Sequence, residues 1–142
     1  MGKEINIFDV YEHICDKCEY GDSIEKLNEY ERVFFVAQVV EAEVNNGGFL
    51  QFFDNSSGNF ANEIVDSFTK IGALKTAKIC EKAVAVFNGY IPTDRDERGD
   101  LLESLDCDEI LDECDDEFYE YEDNLEELNI EYIKTHSEFF EL

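Results

Sequence analysis

Hydrophobic residues recur every three or four positions along most of the chain, and no sustained alternation of hydrophobic and polar residues replaces this spacing. The pattern is typical of amphipathic α-helices. The first hydrophobic stripe consists of Ile7, Phe8, Tyr11, Ile14, Cys15 and Cys18. Later stripes lie within residues 27–44, 60–71, 73–87, 101–125 and 128–140. The sequence therefore predicts an all-α fold, a single compact domain of six to seven helices.

Residues that break helices separate these stripes. Residues 45–48, Asn-Asn-Gly-Gly, are expected to end the second helix, because glycine adopts the left-handed conformation favoured just beyond a helix C-terminus. Residues 55–59, Asn-Ser-Ser-Gly-Asn, are rich in capping side chains, and we expect Asn55 to cap the third helix. Residues 90–99 contain the only proline, Pro92, and are expected to form a loop.

The length of 142 residues fits one domain over residues 1–142, with its own core. The sequence shows no signal peptide and no apolar run near the length of a membrane span, so we expect no membrane partner. It has five cysteines, an odd number. These features predict a cytoplasmic protein with reduced thiols.

Charge is the strongest compositional signal. The chain has 36 acidic residues against 11 Lys and Arg, a formal net charge of -25. Residues 1–93 contain 15 acidic and 8 basic residues, whereas residues 94–142 contain 21 acidic and 3 basic ones. Such a field repels nucleic acid and anionic membranes and attracts basic proteins or cations. We therefore predict an acidic helical region over residues 94–142, a basic protein as partner, and no direct contact with nucleic acid.

The densest acidic run lies in residues 106–123. As one helix these residues would be about 27 Å long. Their carboxylates would then occur roughly every 2.5 Å, compared with one charge per about 1.7 Å along duplex DNA. A hydrophobic stripe in the same segment would hold one face on the core and turn the carboxylates outward. The alternative is a solvated acidic face without a partner. The predicted partner-binding carboxylates are Asp106, Asp108, Glu109, Asp112, Glu113, Asp115, Asp116, Glu117, Glu120, Glu122, Asp123, Glu126 and Glu127.

Metal and cofactor chemistry has little support in the sequence. Cys15 and Cys18 form a Cys-x-x-Cys half-site, but no second half follows, and both continue the hydrophobic stripe of the first helix. Residues 94–105 resemble a calcium loop, yet Arg98 and Leu105 replace two of the acidic ligands that such a loop needs. We predict no metal and no cofactor.

Catalysis is also unsupported by the sequence. The only histidines are His13 and His136, and no strand-turn-helix context presents a nucleophile. An enzymatic hypothesis would place Asn45, Asn46, Gln51 and Asn55 in a polar pocket. Capping and turn formation already account for these side chains. We predict a protein that is not an enzyme.

Two short motifs carry a family resemblance. They are Asn45, Asn46, Gly47, Gly48, Phe49, Gln51 and Phe52 in the first, and Asn55, Ser56, Ser57 and Gly58 in the second. Together with Ile71-Gly72-Ala73, these motifs resemble the signature of the bacterial DNA-mimic protein family named DMP, over about residues 25–90. The acidic C-terminal region resembles the family more loosely.

The resemblance implies an all-helical domain, a homodimer, and an acidic surface that occupies the DNA-binding face of a transcription factor or nucleoid protein. It transfers the fold more securely than the function, because the motif residues are not the charges that imitate DNA. One alternative is an immunity-like or regulatory module that binds a basic toxin or enzyme, with Tyr119 or Tyr121 as an aromatic anchor. We expect the motif itself to be a structural joint.

Overall fold

The computed structural model describes residues 4–141, which contain seven α-helices and no β-strand. The helices are α1 Ile7–Lys17, α2 Glu29–Asp54, α3 Ile64–Lys70, α4 Leu74–Val84, α5 Arg95–Ser104, α6 Asp108–Tyr119 and α7 Leu125–Thr135. Short 3-10 helices lie at Glu19–Gly21, Ile24–Lys26, Ser56–Glu63, Ala85–Phe87 and Ser137–Phe139. The predicted all-α fold is confirmed. Residues 1–3 and 142 of the predicted domain lie outside the described residues.

Helix α2 forms the centre of the fold. Its consecutive residues Val33 to Ala37 are all buried, so the middle of the helix has protein on every side. Helices α1, α3, α5 and α6 and the segment Ser56–Glu63 all contact it. Its C-terminal part adds three buried phenylalanines, Phe49, Phe52 and Phe53. The remaining helices are therefore positioned by one buried helix.

Residues 45–48 interrupt helix α2, as expected, but a second helical segment follows directly. The backbone leaves the helical conformation only at Gly47 (φ -159°) and Gly48 (φ 80°, ψ 179°), and the helix then continues to Asp54. The helix resumes because the side chains of Phe49 and Phe52 belong to the core. The two glycines therefore end the first helical segment and join it to the second through a kink.

Helix α5 begins earlier than the sequence indicated. The Asp94 carboxylate accepts a hydrogen bond from the Glu97 N–H at 2.9 Å and caps a helix that starts at Arg95. The predicted loop over residues 90–99 is therefore wrong in its second half. The capping residue Asp94 was visible in the sequence. Few hydrophobic residues follow it, so no hydrophobic stripe indicated that a helix starts at Arg95.

The hydrophobic stripe of α1 also differs at one position. Phe8 is 81% exposed, whereas Val10, Ile14 and Cys15 are buried. Position 8 faces nearly the same side as the buried Cys15, two turns later, but it lies in the first turn of α1, so its exposure comes from its place at the start of the helix. The placement of Phe8 in the core was wrong.

The acidic run in residues 106–123 is not one helix. Helix α6 ends at Tyr119, and Tyr121 adopts a positive φ of 48° that reverses the chain before α7. Its 12 residues give a helix about 18 Å long instead of the expected 27 Å. The predicted carboxylates therefore lie just before α6 (Asp106), on α6, on the turn after it and on the first turn of α7.

Candidate partner-binding face

Helix α6 is held on the core by one side only. Leu111, Cys114 and Phe118 are buried at three- and four-residue spacing, and the helix packs against α2 and α4. The Phe118 ring meets the Phe49 ring edge to face, with 5.9 Å between centroids. The side of α6 opposite these contacts is left to solvent.

Five of the predicted carboxylates lie on that solvent side, and five more are exposed on the segments before and after α6. Ten of the thirteen are exposed, and we call these ten the acidic face: Asp106, Asp108, Glu109, Asp112, Glu113, Asp116, Glu120, Glu122, Glu126 and Glu127. None of the ten forms an ion pair within residues 4–141; of the thirteen, only Glu117 does so. The acidic face therefore presents uncompensated negative charge.

The carboxylates on α6 form two rows. Asp108, Asp112 and Asp116 follow one another at four-residue spacing, and Glu109 and Glu113 form a second row beside them. Each step along a row rises about 6 Å. Like charges at this spacing destabilise a helix by about 0.2–0.5 kcal/mol per pair. Asp108 and Glu109 lie in the first turn of α6, where acidic side chains favour the helix, but Asp112, Glu113 and Asp116 only add repulsion. Folding does not explain those three charges, which favours a role in binding.

The C-terminal end of α6 adds a further unfavourable charge. The last turn has no basic residue, although a helix C-terminus favours cations. Asp116 instead places an exposed carboxylate near that end. The cost is a few tenths of a kcal/mol up to about 1 kcal/mol per charge. Helix α6 thus carries negative charge even at the end where its own dipole opposes it.

Asp115 departs from the prediction because its carboxylate points into the fold. It accepts a hydrogen bond from the Phe49 N–H at 2.8 Å, directly after the kink in α2. That amide begins the helical segment after Gly48, where an N–H group has no partner within its own helix. Asp115 therefore caps the second part of α2 and is not a free partner-binding group.

Two further carboxylates are engaged inside the protein. Asp123 accepts hydrogen bonds from the Thr76 N–H at 2.7 Å and from the Thr76 hydroxyl at 3.0 Å, in the first turn of α4. Glu117 accepts from the Lys82 ammonium at 2.9 and 3.0 Å. These contacts fix α6 and the turn after it against α4. Neither the contact of Asp123 with Thr76 nor that of Glu117 with Lys82 could be predicted from the neighbouring sequence.

The amides of the two family motifs bind carboxylates and a hydroxyl. Asn45 donates through Nδ2 to the Tyr121 hydroxyl at 2.6 Å. Gln51 and Asn55 both donate to the Glu43 carboxylate at 3.0 Å. Asn55 therefore does not cap the next helix with its side chain, and that expectation was wrong. These side chains hold α2 to its surroundings across the kink.

The second motif surrounds a buried cation. Arg98 is fully buried, and its guanidinium donates to the carbonyl oxygens of Phe53 at 2.5 Å and Asn55 at 2.8 Å. A Cβ at Gly58 would lie 2.6 Å from Arg98 Nε, so only glycine fits beside it. Ser57 is buried and donates to the Phe52 carbonyl at 3.1 Å. The Asn-Ser-Ser-Gly turn is built around Arg98.

Asn46 and Ser56, the remaining polar motif residues, are exposed. Tyr119 and Tyr121 are partly exposed, but their hydroxyls are engaged. Tyr119 donates to the Val44 carbonyl at 2.7 Å, and Tyr121 donates to the Glu41 carboxylate at 3.0 Å. Both rings are therefore fixed at the end of α6.

Groups that could carry chemistry are few and sheltered. All five cysteines are buried and unpaired. Burial raises the pKa of the Cys114 thiol to about 11, and it also raises the pKa of Cys15 and Cys18, so none is a ready nucleophile. Within residues 4–141 no group of three or more His, Cys, Asp or Glu side chains could hold a metal ion.

Within residues 4–141 no helix is both long enough and apolar enough to cross a bilayer.

Comparison with protein-family models matches residues 25–136 to the DMP19-like protein family. The chain belongs to the DMP19-like protein family. The predicted family membership is confirmed, and the match extends well beyond the motif region of residues 25–90 to include α6 and α7. No curated protein and no solved structure matches the chain.

In this DMP19-like domain the first motif and the acidic face are physically connected. Gly48 and Phe49 belong to that motif, and Asp115 belongs to the helix that carries the rows of carboxylates. The structural role of the motif stays a prediction, which the variants of Gly48 and Asp115 test. The motif holds α6 in place, while the exposed charges lie elsewhere on that helix.

Replacing Asp115 by asparagine tests this connection through pH. Burial raises the pKa of Asp115, and Asp112 and Asp116 add to the increase, while the Phe49 N–H opposes it. A raised pKa in the folded state means that ionisation of Asp115 weakens folding as pH rises through that value. An asparagine side chain would keep an acceptor for Phe49 without the charge. We expect Asp115→Asn to be more stable than the wild type at pH 7, by urea unfolding, and to lose this advantage below pH 3.8, the ordinary pKa of the carboxyl.

Two controls separate the buried carboxylate from general charge repulsion. Asp106→Asn removes an exposed charge and should stabilise the DMP19-like domain less at pH 7. Asp115→Ala removes the acceptor and should be less stable than Asp115→Asn at every pH. An equal gain from Asp106→Asn and Asp115→Asn would show that the environment of Asp115 has no special role.

Proposed function

We propose that this DMP19-like domain binds a basic protein through the acidic face and occupies that protein's DNA-binding surface. The observation that carries the proposal is the pair of carboxylate rows on α6, exposed and without ion-pair partners within the described residues. Membership in the family supports the same role, because the family is one of DNA-mimic proteins. The finer statement, that the partner is a transcription factor or nucleoid protein, follows from the resemblance alone.

The rigidity of α6 favours this function. The helix is anchored by buried side chains, by Asp115 on the Phe49 N–H, and by Tyr119 on the Val44 carbonyl. Charges on a fixed helix need little ordering when a partner binds, so less affinity is lost to entropy. A flexible acidic tail would have the same net charge without this advantage. The domain therefore presents a preorganised negative surface.

We propose binding instead of catalysis for the same surface. Its carboxylates are exposed, whereas acids and bases tuned for chemistry usually sit in clefts where burial shifts their pKa. The thiols lie in the core, where burial raises the pKa of Cys114. A surface of exposed carboxylates is suited to electrostatic steering of a basic partner and to specificity.

The test neutralises one row and measures binding. A basic DNA-binding protein is first captured from a native lysate at low salt on the immobilised domain, identified and purified. We expect the triple variant Asp108→Asn, Asp112→Asn, Asp116→Asn to bind it at least about tenfold more weakly than the wild type, because charge pairs across the interface are lost. Isothermal titration calorimetry at about 0.1 M salt, repeated at higher salt, measures the affinity and its salt dependence.

A matched control variant has the same net charge as the triple variant on α6. The variant Glu12→Gln, Asp16→Asn, Glu81→Gln removes three exposed charges from α1 and α4. It should bind within about threefold of the wild type, since distant surface charges contribute little once salt screens them. Equal losses in both triple variants would mean that only net charge matters, which would overturn the role of α6.

Competition with duplex DNA distinguishes a DNA mimic from an acidic binding protein that does not imitate DNA. A DNA mimic must be displaced from its partner by duplex DNA, because both use one surface. If the captured protein binds the acidic face and DNA at the same time, mimicry is wrong. The alternative of an immunity-like or regulatory module, which binds a basic toxin or enzyme, would then stand. Fluorescence anisotropy with labelled duplex DNA gives this readout.

A further inference from the structure

A groove separate from the α6 rows lies between the N-terminal residues, α2 and α7. Its volume is about 740 Å³, within the range of sites that bind small organic groups. Ile7, Phe8 and Ile130 give it apolar walls, and Phe8 is 81% exposed there. Of the 12 phenylalanines, all of which lie within residues 4–141, Phe8 alone is exposed. The groove therefore offers apolar surface next to solvent.

A buried acceptor lines this groove. Asn129 is 1% exposed, and its Nδ2 donates to the Leu125 carbonyl at 2.8 Å. Its Oδ1 has no hydrogen-bond partner among the described residues. Exchanging the two amide atoms would place Oδ1 against the Leu125 carbonyl, one acceptor against another, so the orientation is fixed. Buried polar atoms are nearly always paired, and this one needs a donor from outside the described residues.

Two carboxylates line the same groove. Glu41 accepts from the Tyr121 hydroxyl, and Glu126 belongs to the first turn of α7. Burial raises the pKa of Glu41, the nearby charge of Glu126 adds to the increase, and the Tyr121 hydrogen bond opposes it. Within residues 4–141 neither carboxylate has an ion-pair partner. A cation between them would relieve their repulsion.

We propose that this groove binds the side chain of an arginine presented by a protein partner. The guanidinium would donate to the carboxylates of Glu41 and Glu126 and, after the side chains that cover it move aside, to Asn129 Oδ1, and the aliphatic stem would lie against Ile7 and Ile130. The proposal rests on the proposed function, because it names where a basic partner inserts one side chain.

Arginine fits these features better than a metal ion or a lysine. The described residues contain no group of three metal-ligating side chains, so a bare cation lacks sufficient ligands. A guanidinium has several N–H donors in a planar fork and is more weakly hydrated than an ammonium, so it suits several acceptors beside apolar walls. The exposed Phe8 ring also offers a face for cation–π contact.

The experiment uses a small probe and needs no protein partner. Nα-acetyl-arginine methylamide is titrated into the full chain labelled with ¹⁵N, and amide chemical shifts are followed by NMR. We expect the side-chain amide of Asn129 and backbone amides of residues 5–8 and 126–130 to move, with an affinity on the order of millimolar. The neutral citrulline analogue should bind at least about fivefold more weakly. Equal binding of both probes, or shifts confined to α6, would overturn the proposal.

Variants identify which atoms receive the cation. Asn129→Leu and Glu41→Gln should each weaken arginine binding at least about fivefold, because each removes an acceptor or a charge. Glu126→Gln changes an exposed position and keeps the test decisive if Asn129→Leu does not fold. Glu81→Gln, the same charge change on α4, should have no effect. Unchanged affinity in Glu41→Gln and Glu126→Gln would refute the site.

The same titration separates this proposal from the proposed function. The triple variant in the Asp108, Asp112 and Asp116 row should keep its affinity for the arginine probe within about twofold, since distant sites act independently. Loss of probe binding in the groove variants with α6 intact supports the groove alone. Failure of the groove test leaves the binding test on α6 unaffected.

Discussion

Replacing Arg98 by methionine is expected to lower the free energy of unfolding by about 3–5 kcal/mol, because several carbonyl oxygens around it would be left without a donor, at about 1–3 kcal/mol each. A domain of this size has about 5–15 kcal/mol of stability in total. The variant should therefore unfold at a much lower urea concentration than the wild type, or fail to fold at 37 °C. Circular dichroism at 222 nm during urea titration measures the change.

The size of this effect follows from the acceptors that Arg98 satisfies. Besides the Phe53 and Asn55 carbonyls, its guanidinium donates to the Pro92 and Thr93 carbonyls at 3.1 and 3.2 Å, and to Asn59 Oδ1 at 3.0 Å. Each buried acceptor left without a donor costs about 1–3 kcal/mol. Burial lowers the pKa of Arg98, and Arg95 adds to this, but a guanidinium stays protonated at neutral pH.

Two companion variants identify the cause. Arg98→Lys keeps the charge but lacks the planar fork, so it should recover only part of the stability. Arg95→Met removes an exposed neighbour that donates to the Asp54 carbonyl, and it should change stability by less than about 1 kcal/mol. Wild-type stability in Arg98→Met would show that the carbonyls find other donors and that Arg98 does not organise the turn.

Local periodicity accounts for what the sequence predicted correctly. The helices that contain Ile14, Cys80 and Phe118 each bury one stripe at helical spacing, and their existence follows from that spacing alone. The asymmetry of charge was likewise visible without coordinates. A hydrophobic stripe on α6 leaves its other side for the carboxylates, so the acidic face could be predicted in outline.

Long-range pairing accounts for what the sequence missed. Arg98 is locally one charge in a polar segment, and its acceptors include carbonyls about 40 residues earlier in the chain. Asp115 and Asp123 look like any other members of an acidic run, yet each binds an N–H from another helix. Backbone acceptors and donors are the same in nearly every residue, so composition cannot show which are left unpaired.

Asn129 was missed for a similar reason. An asparagine inside a helix usually faces solvent or returns a bond to its own backbone. In α7 it does bond to the Leu125 carbonyl, but the position is buried, which no periodicity of polar residues would indicate. Only the packing of α7 against its neighbours shows an acceptor without a partner among the described residues. The groove therefore became visible at the structural level alone.

Gly48→Ala is expected to lower the free energy of unfolding by about 3 kcal/mol or more, and Gly48→Val to prevent folding. Gly48 has φ 80° and ψ 179°, a conformation that is essentially restricted to glycine. A Cβ there would also overlap the Asp115 carboxylate, which accepts from the Phe49 N–H. Backbone strain and steric overlap therefore act at the same position.

The adjacent glycine is the matched control for that prediction. Gly47 has φ -159°, outside the left-handed region, and a Cβ there would overlap Gln51 Oε1, so the Gln51 side chain would have to turn away and give up its hydrogen bond to Glu43. Gly47→Ala should therefore cost about 1 kcal/mol in urea unfolding, the usual contribution of one hydrogen bond. Equal losses at both glycines would mean that the kink tolerates no side chain at all, whereas wild-type stability in Gly48→Ala would refute the joint between α2 and α6. Since α6 presents the carboxylate rows, partial loss of that joint should also weaken partner binding before the domain unfolds.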